Sequence, residues 1–124
     1  MNKKNIDKLI PKAIELIAKL PKKDGGIEKV YQGYLASFGP TVIASGLLQT
    51  VMFYSANENK NKVIKIMYDL IKDDIKTDKS SLQDMLNENS NYKNYAIKNK
   101  ILEANIACKL SIRTFELKDW LCLM

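Results

Sequence analysis

The stretch 31–54, YQGYLASFGPTVIASGLLQTVMFY, constrains the fold most because it is long, apolar and interrupted by a Gly-Pro pair. Before that pair, apolar side chains recur at steps of three and four, which places them on one face of a helix. Proline is also well suited to the first position of a helix, where its missing N–H costs no hydrogen bond. We therefore predict two helices, at about 27–38 and 40–56, joined at a corner formed by Gly39 and Pro40.

The second of these helices is apolar nearly all round. Such a helix normally lies at the centre of a core. Gly46 inside it costs about 1 kcal/mol relative to alanine. The sequence therefore predicts a buried helix, with a neighbouring helix packed closely against Gly46.

Other segments show helical periodicity as well. Residues 6–20 predict a first helix with Asp7 as its N-cap, which puts Pro11 in the first turn, where backbone N–H groups lack helical partners. Ser80 and Gln83 match a capping box before a short fifth helix, and a long final helix runs from about 92 into 115. The helix at 61–75 has a predicted buried side made of Val63, Ile64, Ile66, Met67, Leu70 and Ile71.

No stretch shows the sustained alternation of a strand. The predicted fold class is therefore all-α. A chain of 124 residues is about one domain. We expect a compact single-domain helical bundle of about five to six helices over residues 1–124.

The net charge of +6 favours acidic partners, among them RNA, DNA and acidic protein surfaces. The basic excess lies at both ends of the chain, and Lys109 and Arg113 are four residues apart, so they share a helix face. Lysine suits phosphate contacts that are weak, independent of sequence and sensitive to salt. Tyrosines 31, 34, 92 and 95 offer stacking surfaces, but we favour core or interface packing for them. The candidate RNA-binding residues are Lys22, Lys23, Lys109 and Arg113.

The sequence offers no convincing catalytic constellation. It contains no histidine, so the usual general base and most zinc sites are missing, and Asp73 and Asp74 point about 100° apart on a helix. Cys108 and Cys122 are expected to be reduced thiols. No Gly-rich phosphate loop, signal peptide or membrane span is recognisable. We expect a cytoplasmic protein that is not an enzyme and that has no metal and no cofactor.

Nine residues of the apolar stretch form a recognisable pattern: Tyr31, Tyr34, Pro40, Ile43, Gly46, Leu47, Gln49, Thr50 and Phe53. This pattern resembles the small all-helical subunit family of the type III-B (Cmr) CRISPR RNA-targeting effector complex. The resemblance is best over about a fifth of the chain. Near the C-terminus, where family members often carry Lys-Arg-Phe and a tryptophan, this chain has Arg-Thr-Phe at 113–115 and Trp120.

The resemblance implies a non-catalytic building block of an antiviral ribonucleoprotein. Copies of such subunits stack head to tail into a minor filament, which lies beside the backbone subunits and lines the groove that holds the guide RNA and its target. The implied partners are the large polymerase-like subunit, the backbone subunit, further copies of the chain, guide RNA and target RNA, with no membrane.

A small basic helical DNA-binding or regulatory module is the alternative. In that interpretation the corner at Gly39 and Pro40 is a helix-turn-helix. The second helix would present only uncharged polar residues and no basic residue, which makes it a poor reader of a DNA groove. These polar residues are Thr41, Ser45, Gln49 and Ser55.

Overall fold

The computed structural model describes residues 2–118, with the backbone alone at positions 23 and 118. Within this range the prediction of an all-α bundle with five to six helices is confirmed. Six α-helices are present: α1 (Lys3–Ile17), α2 (Val30–Ser45), α3 (Leu47–Ser55), α4 (Glu58–Ile75), α5 (Leu82–Asn87) and α6 (Tyr95–Ile112). A 3₁₀ helix (Glu88–Lys93) precedes α6, and three short strands are β1 (Lys22–Lys23), β2 (Gly26–Glu28) and β3 (Leu117–Lys118).

The long helix α6 is central to the packing, since α1 lies along it and α2 and α4 also contact it. Its buried residues include Ile101, Ala104 and Cys108. The predicted buried side of α4 is confirmed, because all six of its predicted core residues are buried. The core therefore lies among α1, α2, α4 and α6.

The prediction of Asp7 as the N-cap of α1 is wrong. Asn2 caps the helix instead, since its Oδ1 accepts a hydrogen bond from the Lys4 backbone N–H at 2.8 Å. Pro11 consequently lies in the body of α1, where it cannot donate to the Asp7 carbonyl. Both residues are exposed, so water can satisfy that acceptor.

The predicted corner at Gly39 and Pro40 is also wrong, because α2 continues through both residues to Ser45. Pro40 cannot donate to the carbonyl of Ala36, but both residues are exposed to solvent that can take the place of this bond. At the next residue, Thr41 Oγ1 donates to the Ser37 carbonyl at 2.7 Å. The helix therefore tolerates its proline.

The chain turns instead at Gly46, between α2 and α3, where φ is +88°. Glycine reaches this conformation readily, whereas other L-residues are strained in it. A Cβ atom built at Gly46 meets nothing within 4 Å. The predicted close helix contact at this position is therefore wrong, and backbone conformation is the reason for the glycine.

The predicted Ser80–Gln83 capping box is displaced by one residue. Ser81 is the N-cap of α5, and its Oγ accepts a hydrogen bond from the Asp84 backbone N–H at 3.1 Å. The final helix also begins later than predicted, at Tyr95, because the Asn94 side chain accepts from the N–H groups of Ala96 and Ile97.

A small sheet replaces part of the predicted second helix. β1 and β2 form an antiparallel hairpin whose turn residues, Asp24 and Gly25, have φ values of +52° and +84°. Asp-Gly is a favoured pair for such a turn. β3 then pairs in parallel with β2, and the buried Ile27 donates its N–H to the Glu116 carbonyl at 2.8 Å. The sheet thus ties the start of α2 to the segment that follows α6.

Candidate nucleic-acid interface

Lys109 and Arg113 face a shallow groove of about 240 Å³ between α6 and α2. The two residues lie in the last turn of α6 and at its C-cap, where the helix dipole favours positive charge. Lys29, immediately before α2, lines the same groove. The rest of the lining is Gln32, Gly33 and Ala36. The structure therefore brings three cations together, and none of the described residues that line the groove is a carboxylate.

These three cations are available to a ligand. The ion pairs within residues 2–118 involve other lysines: Lys72–Asp69, Lys79–Glu88 and Lys100–Asp74. Arg113 and Lys29 are exposed, and Lys109 is half-buried. A Cβ atom built at Gly33 meets nothing within 4 Å, so the floor of the groove is open there. Among residues 2–118, no acidic side chain lines the groove that phosphate oxygens would enter.

Lys29 was not predicted as a binding residue. The sequence placed it inside the helix predicted at 27–38, and nothing local indicated that this helix lies beside the last one. In the structure, α2 contacts α6, and the pairing of β2 with β3 holds the chain before Lys29 against the chain after Arg113. A sequence pattern does not report such a pairing between distant segments. The contribution of Lys29 is therefore a finding of the structure.

Lys22 and Lys23 lie on a different element from the residues that line this groove. They form β1, which pairs with the opposite edge of β2 from β3. Lys22 is exposed, and its Nζ donates a hydrogen bond to the carbonyl of Ala18. The predicted set of four basic residues therefore divides into one pair on the groove and one pair on the hairpin.

A second basic groove, which sequence reasoning also missed, lies between α1 and α4 and has a volume of about 310 Å³. Lys19, which follows α1, lines it together with Lys62 and Lys65 of α4, and Asp69 is the acid among its described lining residues. Its apolar lining consists of Leu16, Leu20, Pro21 and Ile66. The signal was present in the spacing of Lys62 and Lys65, which are three residues apart and share a face. The nearly balanced total charge of α4 concealed it.

Some residues of the apolar signature hold the α2–α3 corner together. Tyr31, Leu47 and Thr50 are buried, and Thr50 Oγ1 donates to the Gly46 carbonyl at 2.8 Å. Tyr54 Oη donates to the Tyr34 carbonyl at 2.9 Å, and burial raises the pKa of this phenol above its ordinary value. These contacts are architectural and leave no group for chemistry.

The other signature residues are on the surface, contrary to the prediction that the helix through Gly46 is buried all round. Ile43 is 81% exposed and Phe53 is 65% exposed. Only one face of α3 enters the core, through Leu47, Thr50, Val51 and Tyr54. The remaining exposed members of the signature are Pro40, Gly46 and Gln49.

The thiol of Cys108 is shielded from solvent. It is fully buried, and burial raises its pKa to about 12, so it stays protonated at neutral pH. Cys122 and Trp120 lie outside the described residues. Within residues 2–118, no three potential ligands among Cys, Asp and Glu are grouped so as to hold a metal ion. None of the helices in this range is long and apolar enough to cross a membrane.

Comparison with known families identifies one match. The family model described as CRISPR-associated protein (Cas_Cmr5) matches residues 7–121, which is nearly the whole chain. No curated protein and no solved structure matches. The chain therefore belongs to the Cas_Cmr5 family of CRISPR-associated proteins, the small subunit family of the type III-B Cmr complex.

Proposed function

We propose that this chain is the non-catalytic small subunit of a type III-B CRISPR (Cmr) ribonucleoprotein effector that acts in antiviral defence in the cytoplasm. In this role its single helical domain, residues 1–124, stacks with further copies into the minor filament. Its partners are the large polymerase-like subunit, the backbone subunit, guide RNA and target RNA. The observation that carries the proposal is the family match over residues 7–121.

The basic grooves support a role for the chain in contacting the RNA backbone. Lys29, Lys109 and Arg113 gather three positive charges in one groove whose described lining contains no carboxylate. Phosphate contacts position a nucleic acid but do not read its sequence. A subunit that must accept any guide and any target needs contacts of this kind. The lysines of the α1–α4 groove and the predicted pair Lys22 and Lys23 offer further positive charge.

The non-catalytic part of the proposal is supported by the chemistry of the side chains. The chain contains no histidine, and the thiol of Cys108 is buried and protonated. The acids Asp73 and Asp74 are exposed on α4, as expected of a solvated helix face. Cleavage of the target and maturation of the guide are therefore assigned to other subunits.

The alternative of a DNA-binding module depended on a helix-turn-helix corner at Gly39 and Pro40. α2 continues through both residues, so the corner does not exist there. The surfaces of α2 and α3 carry no basic residue with which to read a groove. No separate observation favours this alternative.

Two measurements test the proposal. The tagged chain, co-expressed with the other Cmr subunits, should co-purify with them. The isolated chain should bind a fluorescent single-stranded RNA weakly, and binding should fall steeply between about 50 and about 200 mM salt. Replacing Lys109 and Arg113 by glutamate should abolish this binding, whereas the same change at the exposed lysines Lys3 and Lys93, which lie outside both grooves, should have a much smaller effect. Absence of co-purification, or binding that survives high salt, would contradict the proposal.

A further inference from the structure

The surface made by α2 and α3 is uncharged. Residues 30–57 contain no Asp, Glu, Lys or Arg, although the whole chain has 34 charged residues. On α3 the exposed positions fall at steps of three and four, so they form one stripe. We call this stripe, together with the exposed Ile43 of α2, the uncharged face: Ile43, Gln49, Met52, Phe53 and Ala56.

This face holds large apolar side chains that the bundle itself does not cover. Ile43, Phe53 and Met52 are 81%, 65% and 47% exposed. Contiguous exposed apolar patches mark sites of protein interaction, and Met52 and Phe53 are consecutive exposed residues of α3. The cores of protein interfaces are depleted in charge and enriched in aromatic residues and methionine. The composition of the face is therefore that of an interface core.

The ammonium group of Lys60, which lies beside Phe53 of this face, indicates what kind of partner fits. Lys60, at the start of α4, places its Nζ 4.7 Å from the ring centre of Phe53, and also 5.3 Å from Tyr54 and 5.7 Å from Tyr34. These rings hold the ammonium group in place by cation–π attraction. No carboxylate of residues 2–118 forms an ion pair with it. A complementary partner would supply an acidic group there.

We propose that the uncharged face docks a different protein subunit of the Cmr complex, one that presents an apolar surface with an acidic residue opposite Lys60. RNA is a poor occupant because the face has no cation except at its edge. A second copy docked face to face would set Lys60 against its own counterpart, and a copy stacked head to tail on this face would be detected as self-association in the test below. This inference rests on the proposed function. It assigns subunit docking to the uncharged face and RNA contact to the basic grooves.

The test measures the binding of the purified chain to the Cmr complex assembled without its small subunit. Replacing Ile43 and Phe53 together by serine should weaken binding at least about tenfold, as expected for apolar anchors at an interface centre. Lys60→Glu should weaken it as well. The matched control is Tyr95→Ser, since Tyr95 is an aromatic residue of similar exposure, 73%, on α6. This control should leave binding within about twofold, because the replaced ring lies outside the proposed contact.

The exposed positions of these substitutions should leave the fold intact, and thermal unfolding checks this. Unchanged binding of the Ile43 and Phe53 double variant would overturn the inference while leaving the proposed function in place. The inference would also be overturned if the wild-type chain formed a dimer in sedimentation velocity and the double variant did not. Loss of RNA binding by the double variant would overturn it as well. If the wild-type chain itself fails to bind the complex, the proposed function fails and this inference falls with it.

Discussion

The backbone N–H of Asn2 donates a hydrogen bond to the carboxylate of Glu103 at 2.9 Å, across 101 positions of the chain. Glu103 is only 6% exposed, although a carboxylate is rarely buried without a partner. The same Asn2 caps α1 through its side chain. The first turn of α1 is therefore fixed both by its own cap and by a buried acid of α6.

Removing this acid should destabilise the bundle. In Glu103→Ala the Asn2 N–H loses its partner, and the loss of a charged hydrogen bond costs about 1–3 kcal/mol of the free energy of unfolding. Urea unfolding of the variant measures this cost. The control is Glu15→Ala, on an exposed position of α1, which should change stability by less than about 0.5 kcal/mol. Equal stabilities of the two variants would contradict the role of Glu103.

Two glycines should respond to alanine in opposite directions. Gly46 has φ of +88°, so Gly46→Ala should destabilise the protein by about 1–3 kcal/mol through backbone strain alone. Gly33 lies inside α2 and has open space at its Cβ position, so Gly33→Ala should stabilise the helix by about 1 kcal/mol. Chemical denaturation of both variants checks the prediction. A stabilising effect at Gly46 would show that its φ is not what requires glycine.

The thiol of Cys108 should make stability depend on pH under alkaline conditions. In the unfolded chain it ionises with a pKa near its ordinary value of 9.0, whereas burial raises the pKa to about 12 in the fold. The unfolded state therefore loses its proton first, and stability falls by about 1.4 kcal/mol per pH unit between these values.

Comparison of the native chain with Cys108→Ala isolates this effect. Stability should decline less steeply above pH 9 in the variant, as measured by urea unfolding at several pH values. In a Cys122→Ser background, Cys108 should also react with a thiol reagent only after unfolding. Rapid reaction of the folded chain at neutral pH would contradict the burial of this thiol.

The elements that sequence could predict are those whose signal is local and repeated. α4 shows its buried side at steps of three and four, and the predicted capping box at Ser80 fell one residue from the observed cap, Ser81. Lys109 and Arg113 could be paired because they lie on one helix. The strands contain two or three residues each, too few for any alternation, so the sheet left no pattern to find.

The sequence predictions were wrong where burial or exposure in the folded protein decides the role of a residue. Pro40 has no N–H to donate to the carbonyl of Ala36, so it would end the helix if that carbonyl had no other hydrogen-bond donor. Ala36 is exposed, so water can donate to its carbonyl. Ile43 and Phe53 are apolar, but periodicity does not tell whether a neighbouring helix covers them. Lys29 reaches its groove through contacts between segments far apart in the chain. Each of these facts depends on packing that no local pattern contains.

Lys29 should contribute more to RNA binding than Lys22. Of these two residues, the sequence predicted RNA binding for Lys22 alone. Lys29 lines the groove with Lys109 and Arg113, whereas Lys22 lies on the hairpin and donates to the Ala18 carbonyl. Lys29→Ala should weaken binding to single-stranded RNA and reduce the slope of log K against log salt by about 0.7, the value for one lost phosphate contact. Lys22→Ala removes the same charge and serves as the control, with a smaller change in slope. Fluorescence anisotropy across a salt series measures the slope for both variants. A larger change for Lys22→Ala than for Lys29→Ala would indicate that RNA contacts the hairpin and not the groove.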